Sequence, residues 1–289
     1  MIEAMAPQAR SIGFVLLGAL ASTQPAEVAA ASGVLAEADA LYARRAEGSA
    51  GGAANPERLD PAIALYRRSL QESPDSAEAL AGLLRALHFK GAFCGLAPDD
   101  ARAVFEEAKT LGQAAIERWE KPLSGRWSAD RLTVLRARPS AAGVYFWTAA
   151  AWGQWALSRG KLAAARQGVA GRLRDLAETV IAIDPGLEEG GGYRILGRLH
   201  HQAPKIPFIT GWVSKTKALQ YLRQSLAANP QNTATRVFLA EAILDHEPKN
   251  AAEAERLLRS CVDDPPRDAF LVEDRYYADE ARALLKRLR

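Results

Sequence analysis

From about residue 34 onward, apolar residues recur three and four positions apart with polar and charged residues between them. Leu80, Leu83, Leu84 and Leu87 fall on one face of a helix, and Val237, Leu239, Ala240 and Ile243 repeat the arrangement. Carried along the chain, the pattern predicts about eleven helices, at roughly 34–46, 60–73, 77–90, 99–119, 141–158, 162–183, 191–201, 215–228, 233–245, 250–261 and 274–288. No segment reads as a strand. Asp75-Ser76 and Asn232-Thr233 supply N-caps for the helices they precede.

Several of these helices share a spacing. Ala62, Tyr66, Ser69 and Pro74 are separated by four, three and five positions, and Ala218, Leu222, Ser225 and Pro230 are separated identically. Leu173, Ala177, Val180 and Pro185 give the interval set again, and Leu257, Ser260 and Pro265 give its last two steps. A small residue lets two helices approach, a large one fills the groove beside it, and proline stops the helix because it has no N–H and blocks the preceding turn. This is the pattern of a tetratricopeptide second helix, and Pro230 and Pro265 lie 35 residues apart, close to that repeat's period. The expectation is an all-α, tetratricopeptide-like helical-repeat solenoid with extra helices, forming a single domain from about residue 31 to 289.

Three insertions interrupt the repeats. Glu47–Asn55, rich in Gly, Ala and Ser, reads as a flexible loop. Glu120–Ser140 holds Pro122, Gly125, Trp127 and Pro139. Gln202–Ser214 combines Pro204, Pro207 and Gly211 with Ile206, Phe208, Ile209 and Trp212, apolar residues expected to pack back on the body or to meet a partner.

Composition narrows the function. Of 289 residues 48% are hydrophobic and 25% charged, which excludes extensive disorder. The net charge of +3 gives no case for a nucleic-acid partner. Arg10 precedes an apolar run from Ile12 to Ala21, too short to span a bilayer and suited to a signal peptide cleaved near 21 or 30, where Ala19, Ala21 and Val28-Ala29-Ala30 meet the small-residue rule. A periplasmic location is therefore expected, with no lipoprotein cysteine after that run. The two cysteines, Cys94 and Cys261, exclude a disulfide scaffold, and unpaired buried thiols are the simpler expectation. The apolar stretch Ala141–Leu157 reads as a buried helix of a helical protein.

A search for chemistry finds little. No G-x-S-x-G, H-E-x-x-H or C-x-x-C is present, so no enzyme, metal or cofactor is expected. His200 and His201 are adjacent and would point apart on a helix. Gly190-Gly191-Gly192 reads as a turn with positive backbone φ. Glu188-Glu189 and similar carboxylate pairs read as solvated faces or caps. More distinctive is an aromatic helix bearing Tyr145, Phe146, Trp147, Trp152 and Trp155, which reads as core or as the wall of a cavity. Arg194 and Arg198, four apart, share a helical face and either hold a ligand carboxylate or lie solvated or salt-bridged.

The stretch YFWTAAAWGQWAL (Tyr145–Leu157), the stretch GGGYRILGRLHHQAPKIP (Gly190–Pro207) and the following repeat from Lys217 to Leu244 occur in this order. Together they resemble the T-component (TatT) family of tripartite ATP-independent periplasmic (TRAP) transporters, over most of the chain from about residue 35. The resemblance implies an all-helical, non-enzymatic periplasmic accessory protein. Its implied partner is the solute-binding subunit of a TRAP importer, its implied oligomers include homotrimers, and its implied cavity holds or passes a small organic acid or apolar solute. Carried over to matching positions, it marks Trp147, Trp152, Tyr193, Arg194, His200, Pro204 and Pro207, beside Tyr145 and Arg198, as candidate ligand or partner residues. The alternative expectation is a general periplasmic scaffold for envelope protein assembly, which needs a concave groove but no closed cavity.

Overall fold

The computed structural model describes residues 25–123, 129–160, 164 and 166–288. The apolar run from Ile12 to Ala21, read from sequence as a signal peptide, and the expected cleavage position near 21 lie outside them, while Val28–Ala30 lie within the first helix. Twelve α-helices follow one another among the described residues: α1 (Pro25–Ala43), α2 (Asp60–Glu72), α3 (Ala77–Phe93), α4 (Pro98–Glu120), α5 (Ala129–Arg136), α6 (Ala141–Arg159), α7 (Val169–Ile183), α8 (Leu187–Gln202), α9 (Lys215–Ala228), α10 (Thr233–His246), α11 (Ala251–Asp263) and α12 (Leu271–Arg287). The helix α5 falls in the segment read from sequence as an insertion. No helix among the described residues is long and apolar enough to cross a membrane. Local chemistry sets the helix starts. Ser76 Oγ accepts from the Ala79 N–H at 3.2 Å, and Asn232 Oδ1 accepts from the Thr235 N–H at 2.8 Å.

The repeat positions are where the packing is tightest. Ala62, Tyr66 and Ser69 are buried, as are Leu173, Ala177 and Val180, and Ala218, Leu222 and Ser225. In each of the first and third sets the large residue seats on a glycine of the neighbouring helix. A Cβ on Gly82 would stand 2.3 Å from the Tyr66 ring, and one on Gly197 would stand 2.5 Å from the Leu222 side chain. The last repeat corrects the sequence reading by one position. The buried residues of α11 are Ala254, Leu258 and Cys261, with Leu257 and Ser260 only partly covered. The stop is therefore Pro266, which restores the four-three-five spacing; the Pro265-Pro266 doublet disguised the register.

The apolar interior forms two clusters. One joins residues from α1 to α8 and also takes in Val272 of α12. The other joins α9 to α12, and Tyr277 packs against both. These shared residues reflect a long-range event: the two ends of the array meet. Phe93 of α3 stands edge-on to Tyr276 at 5.3 Å and to Tyr277 at 6.4 Å. Arg45, just after α1, donates to Glu273 at 2.7 Å and to the Ala269 carbonyl, with its guanidinium over the Tyr42 ring. The segment 47–55, expected to be a loose loop, is instead part of this junction. Its Ala54 N–H donates to the Phe93 carbonyl at 2.7 Å, and Gly52 lies so close to the Tyr276 backbone that a Cβ there would approach within 2.6 Å.

Candidate functional site

Closing the array end to end leaves a cavity of about 480 Å³ at its centre, within the range of small-molecule sites. Its wall is drawn from α1, α3, α6, α7, α8, α10 and α12. Tyr42, Phe89, Phe93, Phe146, Trp147, Phe238 and Tyr277 give it an aromatic lining. Leu157, 57% exposed, and Tyr276, 37% exposed, mark its rim.

The polar part of the wall is organised by an unusual turn. At the start of α8, Glu188 (φ 49°), Glu189 (φ 58°) and Gly190 (φ 75°) are all left-handed. Glycine tolerates this; each glutamate costs about 1–2 kcal/mol there. The surroundings hold the turn in place. Arg194 donates to the Glu188 carbonyl at 3.0 Å and the Glu189 carbonyl at 3.4 Å, with Thr235 Oγ1 at 3.3 Å as a third acceptor. Gly191 abuts Phe146, where a Cβ would come within 2.4 Å of the ring. Glycine run and positive φ thus coincide at Gly190 alone, while the expected solvated carboxylates are both drawn inward.

The two glutamates then diverge. Glu189 accepts from Arg267 at 2.8 and 3.0 Å, from Asn229 at 2.6 Å and from Asn232. Arg267 also binds Asp274 at 2.8 Å, which holds that carboxyl below its usual range despite burial. Glu188 receives no hydrogen bond at its carboxylate from any described residue. Burial raises its pKa, opposed by the charges of Arg194, Arg85 and Arg45. Two neighbours are similarly incomplete: Glu273 Oε2 and His88 Nδ1 are buried without a hydrogen-bond partner. Burial, assisted by the charge of Arg194, lowers the His88 pKa to about 4, so its imidazole is neutral at neutral pH.

Of the nine candidate residues, Trp147, Arg194, Arg198 and Pro204 line the cavity. Tyr145, Trp152, Tyr193, His200 and Pro207 do not. Tyr145 is 1% exposed and donates to Glu120 at 2.6 Å, which makes it core. Trp152 stands edge-on to Trp155 at 5.4 Å, with Lys109 and Arg172 over its ring and Gln113 accepting from its indole N–H. Tyr193 stacks on Tyr221, and His200 lies between Tyr221 and Trp212 while its Nδ1 accepts from the Ser214 N–H at 3.0 Å. Pro207 belongs to a protruding loop whose tip is Phe208, fully exposed at φ 63°. Thr210 braces that loop, accepting from the Ile206 N–H at 3.0 Å and donating to the Pro204 carbonyl. Arg194 and Arg198 do share a face, but Arg198 is paired with Glu241 and Arg194 with backbone carbonyls. Both cysteines are free and buried. Among the described residues no group of three or more His, Cys, Asp or Glu is placed to hold a metal ion.

This geometry can be set beside known proteins. No protein-family model matches the chain, and no curated protein does. Solved structures do. A thermophilic TPR protein of Thermus thermophilus, TTC0263, matches over 88% of this chain and 99% of its own, with TM-score 0.54 and 17% identity. The fold is tetratricopeptide-like. The TPR2AB domain of yeast Sti1, solved as a complex with pHSP90, aligns over 89% of this chain and 97% of its own at 16% identity, with a TM-score of 0.32. At 17% identity the likeness to TTC0263 is one of fold. The tetratricopeptide-like array is thus shared as a fold.

Proposed function

We propose that this chain is a periplasmic accessory protein of TRAP-type solute uptake, which docks the solute-binding subunit and holds or passes a small organic solute. The observation that carries the reading is the end-to-end closure of the array around an aromatic cavity of about 480 Å³. A general assembly scaffold needs a concave groove and gains nothing from a central aromatic cavity in which the Glu188 carboxylate is left without a hydrogen-bond partner. Sequence adds support through the three ordered segments that resemble the T-component family, and export follows from the apolar run after Arg10. The docking edge in this reading is the braced loop that carries Phe208 and Ile209, because Pro204 at its base also lines the cavity. Association into homotrimers belongs to the same reading.

The test is capture from periplasmic extract of the native cell on the immobilised mature chain. Identification of a TRAP solute-binding subunit, lost when Phe208 and Ile209 are both changed to Ser, is the expected result. Recovery of envelope-assembly proteins without such a subunit would transfer the chain to the scaffold reading.

A further inference from the structure

The charge of the cavity wall runs opposite to that of the chain. The whole sequence carries +3, yet six carboxylates line the cavity against three guanidiniums and no lysine. Those guanidiniums are all directed to acceptors within the protein. Arg198 is paired with Glu241, Arg267 with Glu189 and Asp274, and Arg194 with two backbone carbonyls and Thr235. Two further guanidiniums act on Glu188 by their charge: Arg45 is engaged on Glu273 and the Ala269 carbonyl, while Arg85 donates from Nη2 to Asp39 and the Tyr66 hydroxyl and keeps its Nε buried without an acceptor. Among the residues that line the wall, the unmatched atoms are His88 Nδ1 and carboxylate oxygens, which only accept. Glu188 is held inward by a strained turn with no donor at its carboxylate, and Glu273 keeps Oε2 buried and unpartnered. A buried acceptor without a donor is costly, so an occupant bringing N–H groups gains more here than one bringing oxygens. Aromatic faces beside it add attraction for a cation and none for an anion.

We propose that the cavity takes a small organic cation, a primary ammonium group on an apolar or aromatic body, with the ammonium seated at Glu188 and the body against Phe146, Trp147 and Tyr277. This rests on the cavity being a ligand site and is independent of which protein docks outside. It also departs from the organic acid or apolar solute that the sequence resemblance implies.

The experiment is isothermal titration of the full chain with 2-phenylethylamine and, as its matched anion, 3-phenylpropionate. The amine is expected to bind and the carboxylate to bind much more weakly or not at all. Glu188→Gln should weaken amine binding by about ten- to a hundredfold while the helical circular-dichroism spectrum is kept. A second variant, Trp147→Ala, should weaken the amine while leaving Glu188 in place. Tighter binding of 3-phenylpropionate, equal amine affinity in Glu188→Gln, or binding of neither probe at millimolar concentration would each overturn the proposal. Subunit capture that fails while amine binding persists would count against the docking reading alone.

Discussion

Two neighbouring parts of the cavity wall treat charge in opposite ways. On the side of Arg267, every carboxylate is answered: Glu189 by Arg267, Asn229 and Asn232, and Asp274 by Arg267 and Thr233. On the side of Glu188 and α3, the carboxylate of Glu188, Glu273 Oε2 and His88 Nδ1 go without hydrogen-bond partners. Glu188 and Glu189 are consecutive and share the same left-handed backbone, so neither residue type nor local conformation separates them. What separates them is where each side chain points. The paired side ties the start of α8 to α12, while on the other side Arg45 on Glu273 joins the two ends of the chain and leaves unmatched polar atoms on a concave aromatic wall, the arrangement expected of a binding site.

Breaking the paired side should have the largest effect. Arg267→Ala removes the cationic partner that Glu189 and Asp274 share, leaving them only neutral donors with Asp274 3% exposed, and is expected to cost about 3–5 kcal/mol in equilibrium denaturation. A loss under about 1 kcal/mol would show that the network contributes little. Next comes acid sensitivity from the unpaired side. His88 is lowered from 6.5 to about 4, so the folded state resists a proton that the unfolded chain accepts. Its contribution is present above pH 6.5 and is lost as pH falls through about 4. Burial lowers His200 to about 4 as well, so both act in the same window. Replacing His88 by Gln should therefore reduce the slope of stability against pH there without abolishing it, and an unchanged slope would place the proton elsewhere.

Glu188→Gln should do less, and in the opposite direction from Arg267→Ala. The carboxyl is raised above 4.5, so its contribution to stability is full below that pH and is lost as pH rises through the raised value. The variant should match or exceed the native chain in stability at neutral pH, with the advantage vanishing in acid; destabilisation at neutral pH would reveal a partner for Glu188. Smallest is a change away from both sides. Phe208→Ser should shift stability by no more than about 0.5 kcal/mol in a thermal melt, since the ring is fully exposed and makes no core contact.

The repeats were legible because they are short-range. Ala62, Tyr66 and Ser69, or Ala218, Leu222 and Ser225, announce themselves within one helix, and Ser76 and Asn232 mark starts by their own side chains. The misplaced register in α11 came from two adjacent prolines either of which could end the helix. The cavity was legible only in its aromatic half, through Trp147 and its neighbours. Its other half depends on Arg45 reaching Glu273 and on Phe93 reaching Tyr276, contacts between the two ends of the chain that no local pattern encodes. In sequence Glu188 reads as a surface charge because paired glutamates usually are, and because a left-handed backbone at a non-glycine residue leaves no mark there.

The central claim is that the two ends of the array meet and so make the cavity. A double-mutant cycle of Phe93→Ala and Tyr276→Ala in the full chain tests it most directly. The edge-on rings at 5.3 Å predict a coupling energy of about 0.5–1.5 kcal/mol in equilibrium denaturation. Strictly additive losses, with no coupling beyond the error of the cycle, would mean that the ends stay apart in solution and that the cavity does not form.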